Sequence, residues 1–134
     1  MVFEMNGGLR KTLPQVFERK AAIADRFFEK VLQRAPDMHR FFPRNYGRRK
    51  DLFATFLAQV ALGAESPATM ESVAQQLASE HRALGLRPEH YRLGNQALTE
   101  AFETILADRL SVEDLQLWVS ELTRLNQRLA ELVS

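Results

Sequence analysis

The sequence predicts an all-α fold, and three observations carry that prediction. Apolar residues recur at steps of three and four along most of the chain, the spacing that places side chains on one helix face. No stretch alternates apolar and polar residues into a hairpin turn, as paired strands would. Helix-stopping residues fall between the periodic stretches, at Ala35-Pro36, at Gly63 to Pro67 and at Gly85 to Pro88. The 134 residues amount to one domain, 1–134, long enough to bury a core and still enclose one pocket.

Taken in order, a first helix is expected from about Phe3 to Arg19, its start frayed or kinked by Gly7, Gly8 and Pro14. A second follows from Ala21 to about Arg34, with Ile23, Phe27, Phe28, Val31 and Leu32 on its apolar face, and ends at Ala35-Pro36. Asp37 suits the cap of a short turn over Met38 to Phe42, closed by Pro43. Pro43 to Gly47 reads as a loop. A long helix then covers about Arg48 to Leu62, with Leu52, Phe53, Phe56, Leu57 and Val60 on its apolar side. After the Gly63 to Pro67 turn, Ser66 or Thr69 is placed to cap the next helix.

That next helix lies in the stretch Thr69 to Tyr91. Met70, Val73, Ala74, Leu77, His81 and Leu84 share one face, so a histidine sits at the end of an apolar stripe. Gly85 stops the helix, and Pro88 opens another that runs to about Leu106. Tyr91, Gly94, Leu98, Ala101, Phe102 and Ile105 form its buried stripe. The last helix starts at Ser111, with Glu113 and Asp114 in the first turn favouring the positive end of the dipole. Its stripe, Leu115, Trp118, Leu122, Leu125, Leu129 and Leu132, suits a core, a helix–helix dimer seam, or both in part.

A histidine such as His81 has two readings. One is a core histidine whose ring nitrogens find backbone partners. The other is a metal or haem ligand facing a pocket. Composition narrows the chemistry around it. With no cysteine, disulfides, iron–sulfur clusters, thiolate-bound haem, thiol catalysis and covalent c-type attachment are excluded. Three histidines (His39, His81, His90) are too few to make a closed zinc site a good expectation. The net charge of +1 exerts no general pull on nucleic acid. No apolar run approaches a membrane span and the N-terminus lacks a signal-peptide pattern, so a cytoplasmic location is expected. One local departure is the basic cluster Arg40, Arg44, Arg48, Arg49 and Lys50.

Several details together carry a resemblance to a known family. They are Pro14 in the first helix, Phe27-Phe28 followed by Ala35-Pro36-Asp37, Phe41-Phe42-Pro43 closing the short turn, and Trp118 early in the last helix. The most specific is the run from Glu80 to Tyr91, with nine residues separating His81 from Tyr91 and Gly85 between them. In these details, and over nearly its whole length, the chain resembles the globins, in particular bacterial single-domain haemoglobins and the haem domains of flavohaemoglobins. The resemblance implies six or seven helices packed at steep angles around a haem pocket.

It also implies roles. His81 matches the proximal ligand of a haem b, its second ring nitrogen held by a carbonyl for which that of Leu77 is well directed. Phe42 matches the phenylalanine that packs on the porphyrin. Phe28, Leu52, Phe56 and Leu77 would complete the pocket, with Leu98 and Phe102 closing the proximal side. Tyr91 matches a tyrosine that contacts the proximal histidine together with a carboxylate; its other reading is a core tyrosine. Here the chain departs from the pattern, because the carboxylate position falls on Val133 and Glu131 lies two residues off. The distal side departs too. Phe28 stands where such relatives have a tyrosine, and no histidine occurs from Gly47 to Leu62. Arg48 falls at the gate position. It, or Tyr46, is the expected hydrogen-bond donor, the other reading of Arg48 being a propionate partner or solvated charge. The basic cluster as a whole suits either a haem edge that needs cations or a phosphate-binding patch.

The implied function is a haem-b globin that reversibly binds a diatomic gas (oxygen, nitric oxide or carbon monoxide) at pentacoordinate iron, as a monomer or homodimer, with weaker oxygen retention than tyrosine-bearing relatives. The alternative is a haem-free or differently liganded sensor or interaction domain. Nitric oxide dioxygenase or peroxidase turnover would require a separate reductase, since the chain carries no dinucleotide-binding glycine motif.

Overall fold

The computed structural model describes residues 2–42 and 45–134, with the backbone only for residues 2–8 and for Tyr46. Among the described residues the order is α1 (Val2–Glu18), α2 (Lys20–Arg34), a 3-10 turn (Pro36–Phe41), α3 (Tyr46–Gly63), α4 (Pro67–Arg82), α5 (Pro88–Leu106) and α6 (Val112–Val133). No strand is present among them. This is the all-α architecture that the three-and-four spacing predicts.

Local chemistry sets most boundaries. Ser66 caps α4 by accepting the Thr69 N–H at 3.1 Å, so of the two candidates Ser66 is the cap, and Thr69 adds a hydroxyl contact to it at 2.7 Å. Ser111 caps α6 by accepting from the Asp114 N–H. Gly85 has φ +85°, a left-handed conformation that stops α4's continuation at little cost for glycine. Two expectations are corrected. The cap position of the 3-10 turn is Ala35, with no side-chain bond, so Asp37 sits inside the turn's first residues instead of capping it. α3 begins at Tyr46, two residues before Arg48, because the side chain of Asn45 accepts the Arg48 N–H at 3.0 Å and starts the helix there. Of the expected loop, Pro43 and Arg44 lie outside the described residues. α1 continues through Gly7, Gly8 and Pro14.

α5 lies between α2 and α6, α4 packs on both α3 and α6, and α1 rests on α3 and α6. The main core gathers Trp118, Phe102, Leu57, Val60, Leu122 and Leu125, all with no exposed surface. The α6 stripe is core: Trp118, Leu122, Leu125 and Leu129 are buried, and Leu115 and Leu132 pack against them. The Trp118 indole N–H donates to the Thr12 hydroxyl at 2.7 Å, so α1 is tied to α6 by a buried hydrogen bond. A second, smaller cluster of Val31, Met38 and Ala97 pins the 3-10 turn between α2 and α5. Between α2, α3, α4 and α5 the packing leaves a large cavity.

Candidate functional site

The cavity measures about 760 Å3, within the ~300–1,000 Å3 typical of small-molecule and cofactor sites. Each wall follows from a helix face. α2 contributes Phe27, Phe28 and Val31, and the 3-10 turn contributes Met38, Phe41 and Phe42. Phe28 and Phe42 meet edge to face at 4.8 Å, and Phe27 stacks behind both. α3 contributes Arg49, Leu52, Phe53 and Phe56, one face of a helix at steps of three and four. Leu77 and His81 come from α4, and Tyr91, Gly94 and Leu98 from α5. At Gly94 an added Cβ would meet nothing within 4 Å, so the missing side chain is part of the open volume.

His81 is the polar centre of the α4–α5 wall. Its Nδ1 lies 2.9 Å from the Tyr91 hydroxyl. This is the contact that the resemblance implies for Tyr91, and it takes the place of the Leu77 carbonyl that helix geometry suggested. α4's helical turn and Gly85 double the chain back so that residues ten apart face each other. Burial holds the His81 imidazole below its ordinary pKa, opposed by the charge of neighbouring Glu80. Burial pushes the Tyr91 hydroxyl up to about 12, against the smaller influence of Arg82, so it stays protonated at neutral pH. Glu131, the nearest carboxylate by sequence to the position matched by Val133, is exposed and bound to Arg128 at 3.2 Å.

The other two histidines use a ring nitrogen on nearby backbone. His39 Nδ1 lies 3.0 Å from the Pro36 carbonyl, and His90 Nδ1 accepts the Arg87 N–H at 2.9 Å while its ring meets Phe41. Among the described residues, no three His, Asp or Glu side chains gather as a metal cluster.

Of the residues expected around a haem, Phe28, Phe42, Arg48, Leu52, Phe56, Leu77, Tyr91 and Leu98 line this cavity together with His81. Phe102 does not. It is wholly buried one turn beyond Leu98 and packs on Trp118 at 5.6 Å, a core role. The side chain of Tyr46 lies outside the description, and Arg48 is exposed. Sequence reasoning named Arg49 only as a member of the basic cluster and did not single it out for the cavity wall. Arg49 is half-buried, and its guanidinium lies over the Phe28 ring, 5.5 Å from the centroid. The signal was present. Leu52, Phe53 and Phe56 extended one turn back reach Arg49.

A model of the family described as Globin matches residues 25–129. Among curated relatives, the flavohemoprotein of Rhizobium meliloti is 24% identical over 129 residues, covering 94% of this chain and 32% of that protein. The flavohemoprotein of Bacillus subtilis is 25% identical over 114 residues, covering 82% and 28%. The chain thus spans about a third of the length of these relatives. An engineered carbene transferase from Rhodothermus marinus superposes with a TM-score of 0.74 at 20% identity, covering 95% of this chain and 89% of that one. A flavohemoglobin from Malassezia yamatoensis, with bound FAD and heme, gives 0.72 at 24% identity over 96% of this chain and 35% of that one. At such identities the structural likeness speaks for the fold, and the match over residues 25–129 speaks for descent: this chain belongs to the globin family.

Proposed function

We propose that the chain would hold a haem b through His81 and reversibly bind a diatomic gas at its iron. The observation that carries this reading is the state of His81. It is a largely buried imidazole on the wall of an apolar cavity, with Nδ1 engaged by Tyr91 and Nε2 without a protein partner among the described residues. A single imidazole makes a poor site for a bare ion, and among the described residues no group of three His, Asp or Glu side chains gathers there. A metal that arrives already held by a macrocycle needs one such ligand and a flat apolar slot. Phe42 and Phe28, Leu77 and Leu98 offer the apolar surfaces, and Gly94 leaves room between them. Arg40 and Arg48, exposed at the cavity edge, suit the carboxylates of such a group.

The haem supplies the iron that coordinates the gas; the chain does the rest. Burial keeps the His81 ring neutral, the form that can ligate. The Tyr91 hydroxyl fixes the ring's rotation and accepts an N–H at Nδ1. Because the hydroxyl stays protonated and no carboxylate is bonded to it among the described residues, the imidazole is not driven toward its anion. That arrangement favours reversible binding over oxygenase chemistry. Any catalytic turnover draws electrons from a reductase on a separate partner or segment.

The test is the absorption spectrum of purified protein with added haem, oxidised, reduced and under carbon monoxide. A Soret band that shifts with carbon monoxide supports the reading, and no haem uptake overturns it. His81→Ala should take up haem without the same five-coordinate ferrous spectrum. An unchanged spectrum would remove His81 from the role of ligand. Phe28→Tyr, which restores a hydroxyl donor, should slow oxygen release by about tenfold, the worth of one hydrogen bond.

A further inference from the structure

His81 stands in the last turn of α4, one residue before its end, where a helix is least able to hold a side chain still. Beyond Arg82 the regular ladder stops. The Leu84 N–H turns back to the His81 carbonyl at 2.9 Å, and the Gly85 N–H to the Arg82 carbonyl at 3.1 Å. Final turns fray unless something outside the helix ties them down. Tyr91 is joined to a ring nitrogen of His81 and does not fasten the backbone that carries the ring.

Arg82 supplies that fastening. Its Nη2 donates to the Leu132 carbonyl at 2.8 Å, across 50 residues of chain. Leu132 lies in the last turn of α6, where carbonyls lack partners within the helix and the negative end of the dipole favours a cation. Its side chain packs against the main core, so the acceptor is itself held in place. The charge of Arg82 is felt at the Tyr91 hydroxyl, which makes the guanidinium a neighbour of the His81–Tyr91 pair. A second tie joins the same two helices near the start of α4. There Arg128 grips the Glu71 carboxylate through two bonds, at 2.9 and 2.8 Å. Glu71 is about 15 Å along the helix axis from His81, too far to steady the last turn.

We infer that Arg82 is a positioning residue: by bonding the Leu132 carbonyl it fastens the last turn of α4 to α6 and so sets the place of the His81 ring in the cavity wall. The inference rests on the haem-binding reading, in which His81 is the ligand of the iron.

The experiment compares the parent chain with Arg82→Met, Arg82→Lys and Glu71→Ala in two measurements. The first is amide hydrogen exchange of the haem-free chain. Arg82→Met keeps the stem and loses the donor, and should lower the protection of Ser79 to Arg82 by about 2- to 10-fold, the range for one net hydrogen bond. The second is the iron–imidazole stretching band in the resonance Raman spectrum of the haem-loaded ferrous protein. Arg82→Met should broaden that band and lower its frequency, because a less steady ring shares its Nδ1 proton less well with Tyr91. Arg82→Lys retains a charged donor and should restore most of both signals. Glu71→Ala breaks the other tie and should lower protection near the start of α4 while leaving the band in place. An Arg82→Met band equal to that of the parent overturns the inference. So does a Glu71→Ala band shifted as far, which would make the effect one of helix docking at large. Failure of the parent chain to take up haem refutes the haem reading instead. Unchanged exchange at Ser79 to Arg82 in Arg82→Met then overturns the tie by itself, so the two failures are distinct.

Discussion

His81, Tyr91, Gly94 and Arg49 are four side-chain positions whose roles separate chemistry from packing. His81 was legible because a histidine at the end of an apolar stripe is anomalous, and Tyr91 because its spacing from His81 is specific. Their mutual contact was not legible from helix geometry, which directed the ring to the Leu77 carbonyl; only the turn at Gly85 brings the hydroxyl closer. The depressed pKa of His81 has a consequence for the haem-free chain. The folded state favours the neutral ring, so this contribution to stability is present above the unfolded value of 6.5 and is lost as pH falls through the lower folded value. Denaturant midpoints of the apoprotein should therefore drop below pH 6.5, and His81→Gln should flatten that part of the profile. Gly94 yields a prediction with two signs. Gly94→Ala should raise apoprotein stability by about 0.5–1 kcal/mol, because alanine favours the helix and its Cβ meets open space. Gly94→Phe fills the same space and should abolish haem uptake while the far-ultraviolet circular dichroism stays helical.

Helix boundaries were the least legible feature, and the one that mattered was the start of α3. The expected helix began two residues late, at Arg48; Arg49 lay within it, one turn before Leu52 and Phe53, but was read as part of the basic cluster. The cause is local. The Asn45 side chain bonds the Arg48 N–H, and a cap at Asn45 competes with reading Tyr46-Gly47 as loop. Asn45→Ala should cost about 1 kcal/mol of stability in chemical denaturation. By contrast the apolar stripes of α2, α5 and α6 were legible in full period, because the same spacing marks a face that meets a helix and a face that meets the cavity. Phe102 shows the limit of that legibility. A stripe says that a residue is buried, and it does not say whether its neighbour is a cavity or an indole.

The molecule holds its cavity open by closing its core elsewhere. Among the described residues α1 lends nothing to the cavity lining and packs on α3 and α6, and a buried polar link from α1 to α6 is the Thr12 hydroxyl with the Trp118 indole at 2.7 Å. Thr12→Val keeps the shape and removes the acceptor, leaving an unmet N–H in the core. It should destabilise the chain by about 1–3 kcal/mol in thermal or chemical unfolding, with no change in the haem spectrum. The all-α class was predictable because the packing of each helix repeats in its sequence period. The Thr12–Trp118 link was not, because it joins positions 106 residues apart and leaves no local trace.

That same link sets an order of events during synthesis. A chain emerging from the ribosome exposes α1 first, yet Thr12 finds its indole only after Trp118 has been made and released. Until then α2 to α5 are outside the exit tunnel without α6, whose Asn126 and Leu129 complete the cavity wall near His81. On the haem reading, stable capture of the cofactor therefore waits for α6, and nascent chains stalled before α6 should not retain haem.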